Sequence, residues 1–106
     1  MPVLREWRAE IRRERREEYV EYVTATGIAH YRKTAGNLGA AIATRDLDAR
    51  RSEIVVLSWW TDRVAIRAFA GDDIGVARYY PEDDAFLLTK PGTVQHYDAT
   101  DFGLRA

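Results

Sequence analysis

The stretch "EIVVLSWW" at residues 53–60 constrains the fold most, because both of its alternating faces are apolar. Successive residues of a β-strand point to opposite sides of a sheet. The two sides would carry Val55, Leu57 and Trp59 on one and Ile54, Val56 and Trp60 on the other. An antiparallel sheet commonly leaves one side in water. A strand that is apolar on both sides therefore predicts that each face of this sheet is covered.

A strand and a helix are predicted at the start of the chain. Residues 3–11, "VLREWRAEI", largely alternate apolar and charged side chains and indicate a strand. Residues 12–27 begin with a charged run and continue with apolar residues at helical spacing, so they predict a helix. Gly27 is a natural C-terminal stop for that helix. Residues 29–34 are then expected to be extended or loop.

The doubly apolar strand is also predicted to close a hairpin and to lead into a second helix. Residues 38–45, "LGAAIATR", form the partner strand, and the polar segment 46–52 forms the turn. Asp62 is a suitable N-cap for the helix "RVAIRAFA". Gly71 is the expected end of that helix.

The remaining third of the chain completes the order of elements. Residues 72–92 are expected to be irregular with one or two short helical turns, and residues 93–100, "TVQHYDAT", form a last strand. The order predicts an α+β fold, the ferredoxin-like βαββαβ plan with a four-stranded antiparallel sheet. We expect one domain over residues 1–106. Both helices lie on one face in this plan, so the second face needs another cover.

Composition excludes several classes of function. Charged residues make up 31% of the chain and the net charge is −1, which gives no general attraction to nucleic acid or to an anionic membrane. The absence of cysteine excludes disulfides and thiolate metal sites and favours a cytoplasmic location. The two histidines are far apart in sequence, and no glycine-rich phosphate pattern is present. We therefore expect no metal, flavin, haem or other cofactor.

A few residues are candidates for a site, each with a structural alternative. Trp60 has the flat surface needed to stack a planar substrate, or it packs in the core. His96, in the last strand, is a candidate general base or a hydrogen-bonded structural residue. Tyr79 and Tyr80 can donate to a bound substrate or anchor the long connection. His30 is expected at the surface or rim.

Four motifs carry a resemblance to a known family. They are Trp60 closing the third strand, "WTDRVAIRAFAG" at 60–71, "ARYYPED" at 77–83 and "VQHY" at 94–97. In this order they resemble the antibiotic biosynthesis monooxygenase family of the dimeric α/β-barrel superfamily, over nearly the whole chain. The resemblance implies that two chains pair their open sheet faces into a barrel. The homodimer would then form through Val55, Leu57 and Trp59.

The resemblance also implies a chemistry. The cofactor-free monooxygenases of this superfamily act on aromatic polyketides and resemble this chain at Trp60 and, after the second helix, at Arg78. They carry an asparagine where this chain has Val56. The haem-degrading members carry a histidine ligand where this chain has Ala70, which disfavours a haem site.

Two functions of different class follow as expectations. The first is a cofactor-independent monooxygenase acting on a planar, polyketide-like small molecule. His96 would be the base, Arg78 would steady the substrate anion, and Trp60, Tyr79 and Tyr80 would bind the substrate. The alternative is a non-catalytic dimeric module that binds a small molecule or stabilises a partner, in which these residues only pack.

Overall fold

A computed structural model describes residues 1–100, and the predicted ferredoxin-like α+β fold is confirmed. Four antiparallel strands lie in the order β2-β3-β1-β4. The strands are β1 (Val3–Arg12), β2 (Asn37–Asp46), β3 (Arg51–Trp60) and β4 (Gln95–Asp98). The helices are α1 (Arg16–Val23), a π-helical turn (Thr24–Ile28), α2 (Ala29–Lys33) and α3 (Arg63–Ala70), with short 3₁₀ turns at Arg13–Arg15 and Asp83–Ala85. The last six residues of the predicted domain, 101–106, lie outside the described residues.

The first helical segment is longer than the sequence suggested. The helix passes through Gly27 by way of the π turn and continues as α2. The predictions that Gly27 ends the helix and that residues 29–34 are extended or loop are therefore wrong. Ile28 and Tyr31 are buried in the core, so apolar contacts carry the helix past the glycine. A single glycine costs a helix only about 1 kcal/mol relative to alanine, which such burial offsets.

The alternation of β3 separates two environments. Every second residue from Ser52 to Trp60 is buried in the core beneath the helices. The residues between them, which include Val55, Leu57 and Trp59, are partly exposed on the opposite face. Trp60 thus lies on the helix side and Trp59 on the open side, as their parity predicts.

Strand β1 follows the same alternation, with one charged exception. Val3, Ala9 and Ile11 are buried on the helix side, as their pattern predicts. Arg5 has the same parity, and it is only 2% exposed. It lies opposite Ser58 of β3 and opposite His96 of β4. The fold therefore places a guanidinium group inside the layer between the sheet and the helices.

The second helix begins and ends where its sequence predicts. The Oδ1 atom of Asp62 accepts a hydrogen bond from the N–H of Ala65 at 2.9 Å, which satisfies one free donor of the first turn. Gly71 ends the helix with φ of 88°, a conformation that favours glycine. Within residues 1–100, no helix has the length and apolar character needed to cross a bilayer.

Candidate functional site

A cleft lies between the helix side of the sheet, α1, the π turn and the connection that follows α3. Side chains from all of these segments line it, among them Arg5, Trp7, Phe69, Arg78, Tyr79 and Tyr80. The cleft has a volume of about 40 Å³. This volume admits a small polar group, so a larger ring system would stand at the mouth.

Arg5 supplies the deepest positive charge of the cleft. One guanidinium nitrogen, Nη1, donates to the carbonyl oxygen of Ile74 at 2.6 Å and lies 3.1 Å from Nε2 of His96. The guanidinium carbon lies 5.6 Å from the centre of the Phe69 ring. Among residues 1–100, no carboxylate pairs with Arg5, and its Nε has no hydrogen-bond partner. Burial lowers the pKa of Arg5, since the charged form loses water.

His96 lies behind Arg5 and does not form part of the cleft wall. Its Nε2 is within hydrogen-bonding distance of Nη1 of Arg5. Because a guanidinium group can only donate hydrogen bonds, Nε2 is the acceptor and the ring proton resides on Nδ1. Burial, together with the charges of Arg5 and Arg63, lowers the pKa of His96 to about 4. The imidazole is therefore neutral at pH 7, and it must release Arg5 before Nε2 can take a proton from a ligand.

The two tyrosines that follow Arg78 both face the cleft. The hydroxyl of Tyr79 accepts a hydrogen bond from Nε1 of Trp7 at 3.2 Å and donates to the carbonyl of Pro91. The hydroxyl of Tyr80 lies 3.1 Å from Nδ1 of His30. These hydrogen bonds hold the phenol rings of Tyr79 and Tyr80 in position at the wall of the cleft.

Arg78 lies nearer the solvent than Arg5. Its guanidinium carbon is 5.2 Å from the centre of the Phe69 ring and 5.7 Å from that of Tyr80, and Nη1 donates to the Phe69 carbonyl. Burial, with the charges of Arg78 and Lys33, lowers the pKa of His30. The Phe69 and Tyr80 side of the cleft thus carries a second guanidinium group, that of Arg78, and the imidazole of His30 lies beside Tyr80.

Within the described part of the chain one carboxylate lines the cleft, and its oxygens are already engaged. Asp83 is buried, and Oδ1 accepts from the hydroxyl of Tyr19 at 2.9 Å while Oδ2 accepts from the N–H of Tyr80 at 2.6 Å. These bonds hold the connection against α1. Among residues 1–100, the charged side chains that line the cleft are Arg5, Arg78 and Asp83, and these three carry an excess of one positive charge.

The structure places Trp60 in the core and not in the wall of the cleft. Its side chain is fully buried, and the indole N–H donates to Oγ of Ser58 at 2.8 Å. It meets Tyr31 edge to face at a centroid distance of 5.5 Å and lies 6.5 Å from Phe69. Since Tyr31 and Phe69 both line the cleft, Trp60 supports its wall from behind.

Sequence patterns located part of this arrangement. The structure brings Arg78, Tyr79 and Tyr80 to one cleft, while His96 reaches it only through Arg5. Arg5 was missed, although a charged residue on the apolar parity of β1 is a visible signal. The contact of His30 with Tyr80 had no such signal, because 50 residues separate the two. Val56, where the resemblance implies an asparagine, lies in the cleft wall, so this departure falls within the site.

A metal centre finds no support in this part of the chain. Among residues 1–100, no three histidine, aspartate or glutamate side chains cluster in a way that would hold a metal ion. The engaged oxygens of Asp83 agree with this finding.

The perturbed pKa of His96 gives a pH-dependent prediction. A folded-state pKa of about 4, below the ordinary value of 6.5, means that the unfolded chain binds this proton more readily. The stability associated with neutral His96 is complete above pH 6.5 and falls as the pH drops towards 4. His96→Gln keeps an acceptor for Arg5 and removes the titration, so we expect a shallower loss of stability between those values. Urea unfolding of both proteins at several pH values measures this, and identical slopes would contradict it.

Comparisons with known proteins place the fold. No family model matches the chain, and no curated protein matches it. A solved structure from Bacillus cereus, provisionally assigned as an antibiotic biosynthesis monooxygenase, is similar with a TM-score of 0.64 and 16% identity over 98% of each chain. The structure of Rv0793 from Mycobacterium tuberculosis gives 0.56 and 18% identity over 98% of this chain and 100% of its own. The chain therefore shares the ferredoxin-like α+β fold of these structures, as the resemblance in its sequence predicted.

Proposed function

We propose that the protein is a cofactor-independent monooxygenase acting on a planar, polyketide-like organic molecule. The observation that carries this proposal is the cleft, in which aromatic side chains surround two guanidinium groups at one side of the sheet. Aromatic walls suit a flat substrate, and guanidinium groups stabilise an anion that forms on it. The fold shared with the Bacillus cereus structure and that structure's assigned activity agree with the proposal.

The reaction requires an activated carbon atom and dioxygen. A base removes a proton from a ring CH₂ group flanked by electron-withdrawing groups, and the carbanion gives one electron to O₂. The substrate radical and superoxide then combine, and the peroxide takes up a proton. Loss of the second C–H proton with cleavage of the O–O bond yields a carbonyl group and one water. CH₂ and O₂ thus become C=O and H₂O, and the substrate supplies all the electrons.

We propose a role for each of these residues of the chain. Arg78 steadies the enolate oxygen at the mouth, and Tyr79 and Tyr80 orient the ring system. Trp60 acts as a positioning residue through the cleft wall in front of it. His96 is the proposed base, reached when Arg5 turns from Nε2 towards the substrate.

Anthrone is a suitable substrate for testing the activity, since its one CH₂ group is acidic. Its oxidation product, anthraquinone, has a different absorption spectrum from anthrone. We expect one O₂ consumed for each anthraquinone formed, with one ¹⁸O from ¹⁸O₂ in the new carbonyl. Arg78→Met should lower turnover at least tenfold, since it removes the charge beside the enolate. Arg67→Met, on the exposed side of α3, is the matched control and should turn over as the wild type does. Oxygen uptake no faster than in buffer would contradict the proposal for this substrate class.

The role of His96 has its own test. His96→Gln preserves an acceptor for Arg5 but cannot take up a proton, so a base role predicts loss of turnover with a melting temperature within a few degrees of wild type. His96→Leu removes both functions and shows the structural contribution. Full turnover in the glutamine variant would exclude His96 as the base and leave it as a support for Arg5.

The proposed mechanism also predicts a colourless protein. Purified protein should show no visible absorption band, and haem titration should produce no Soret band of a bound, ligated iron. Elemental analysis should find no metal in proportion to the chain. A flavin spectrum or a stoichiometric metal would contradict cofactor independence.

A second function is favoured by a different observation. The cleft is small, at about 40 Å³, and Trp60 fills the core beside it. A non-catalytic dimeric module would need no more space than this. In that case small ligands would raise the melting temperature, while anthrone would be oxidised only at the rate seen in buffer.

We also propose that the chain forms a homodimer through its open sheet face. Val55, Leu57 and Trp59 lie partly exposed in a row on β3, with Leu4 of the neighbouring strand on the same face. Covering each 100 Å² of such apolar surface is worth about 2.5 kcal/mol. A second copy of this face would supply that cover by pairing sheet against sheet.

A further inference from the structure

A buried positive charge that has no counter-charge among residues 1–100 lines the cleft. Arg5 is 2% exposed, and among residues 1–100 no carboxylate pairs with it. An isolated buried ion loses several kcal/mol of hydration, and proteins compensate for this with a partner or a ligand. The ring of His96, the carbonyl of Ile74 and the hydroxyl of Tyr31 compensate only in part, since none of them is a carboxylate.

Arg5 also has an unpaired donor. Its Nε–H is the buried side-chain donor without a partner in the described part of the chain, and the residue lines the cleft. A guanidinium donates charge-assisted hydrogen bonds to carboxylate oxygens, and these bonds are stronger than those between neutral groups. The cleft volume of about 40 Å³ suits a carboxylate and not a whole ring system.

The remaining wall specifies the body of the ligand. Aromatic side chains, among them Trp7, Phe69 and Tyr80, surround the approach to Arg5. Asp83 is the one carboxylate that the described residues contribute to the wall, and both of its oxygens are engaged. Together with Arg5 and Arg78 it leaves one positive charge in excess among these residues. A flat apolar ring with a single negative group satisfies both features, while a dianion would leave a second negative charge in an aromatic setting.

We infer that Arg5 is the anion anchor of the cleft, and that the ligand is a planar aromatic monoanion whose charged oxygens accept hydrogen bonds from the guanidinium group of Arg5. This inference deepens the proposed function by assigning the charge of the ligand, and it rests on that function only for the claim that the ligand is a substrate. Binding alone tests it.

Benzoate and benzamide are matched probes, since they share ring and shape and differ in charge. We expect the protein to bind benzoate at least about tenfold more tightly than benzamide at pH 7 and constant ionic strength, as a charge-assisted hydrogen bond implies. In ¹⁵N-detected spectra, the Nε–H signal of Arg5 should shift with benzoate and stay in place with benzamide. Acetate should bind more weakly than benzoate, because it lacks the ring.

Substitution at the anchor completes the test. Arg5→Met removes the charge and keeps an apolar side chain of similar length, a replacement that buried ions often tolerate. It should abolish the preference for benzoate, while Arg67→Met should retain it. Equal binding of both probes by the wild type, binding of neither, or a preference that survives in Arg5→Met would overturn the inference. The wild-type Nε–H signal decides the matter even where the variant fails to fold. Anthrone oxidation without any preference for benzoate would overturn the anchor and leave the proposed function standing.

Discussion

Replacing Trp60 with alanine is expected to lower the free energy of unfolding by about 3–5 kcal/mol, because the change removes a large, fully buried side chain and leaves a cavity. A domain of this size has a total stability of about 5–15 kcal/mol. The melting temperature should fall by well over ten degrees, and part of the protein should be unfolded at 37 °C. Urea unfolding monitored by circular dichroism measures the change.

Two other variants separate packing from hydrogen bonding at this position. Trp60→Phe keeps an aromatic ring but removes the indole N–H that donates to Ser58, so we expect an intermediate loss. Val64→Ala, at a site on α3 that is 65% exposed, should change stability by less than about 0.5 kcal/mol. A stable Trp60→Ala protein that loses only ligand binding would show that Trp60 serves the cleft directly and not the core.

Replacing Trp59 with glutamate is expected to convert the proposed homodimer into a monomer or an aggregate. Trp59 lies on the open face of the sheet, in line with Val55 and Leu57. A carboxylate at the centre of a sheet-to-sheet interface would lose its hydration without gaining a partner, which costs several kcal/mol. Light scattering coupled to gel filtration should give twice the chain mass of 12.2 kDa for the wild type and the single mass for the variant.

The control for this prediction carries the same charge on the other side of the molecule. Val64→Glu introduces a carboxylate on the exposed side of α3 and should leave the dimer intact. A wild-type protein that is monomeric at micromolar concentration would refute the proposed assembly. A Trp59→Glu protein that remains a normal dimer would show that the chains associate through another surface.

The fold was predictable because its strongest signals are local or periodic. The apolar faces of β3 follow from alternation within ten residues. The capping of α3 joins Asp62 to Ala65, which is only three positions further along the chain. Gly27 was misjudged for the opposite reason. Its effect on the helix depends on what Ile28 and Tyr31 touch across the core, and local preference gives no information about that.

The site was less predictable because its contacts join distant parts of the chain. Sequence patterns identified Tyr79 and Tyr80 as candidates, and both do line the cleft. Their hydrogen-bond partners, such as His30 for Tyr80, lie in elements that are distant in sequence and come together only in the folded protein. Arg5 broke the apolar alternation of its strand, and such a break on a buried face is the kind of local inconsistency expected at a functional position.

The contact between Arg5 and His96 has a consequence for how the molecule forms. These residues are 91 positions apart, on the first and last strands, so closing that contact requires nearly the whole chain to be in place. The last strand, β4, has four residues and pairs only with β1 in the described part of the sheet. Detachment of β4 from the sheet would be a small local opening that exposes Arg5 to water, so that its guanidinium group would be hydrated again. The cleft is therefore expected to form late in folding and to open early in unfolding. An anion bound at Arg5 would then stabilise the pairing of the first strand with the last.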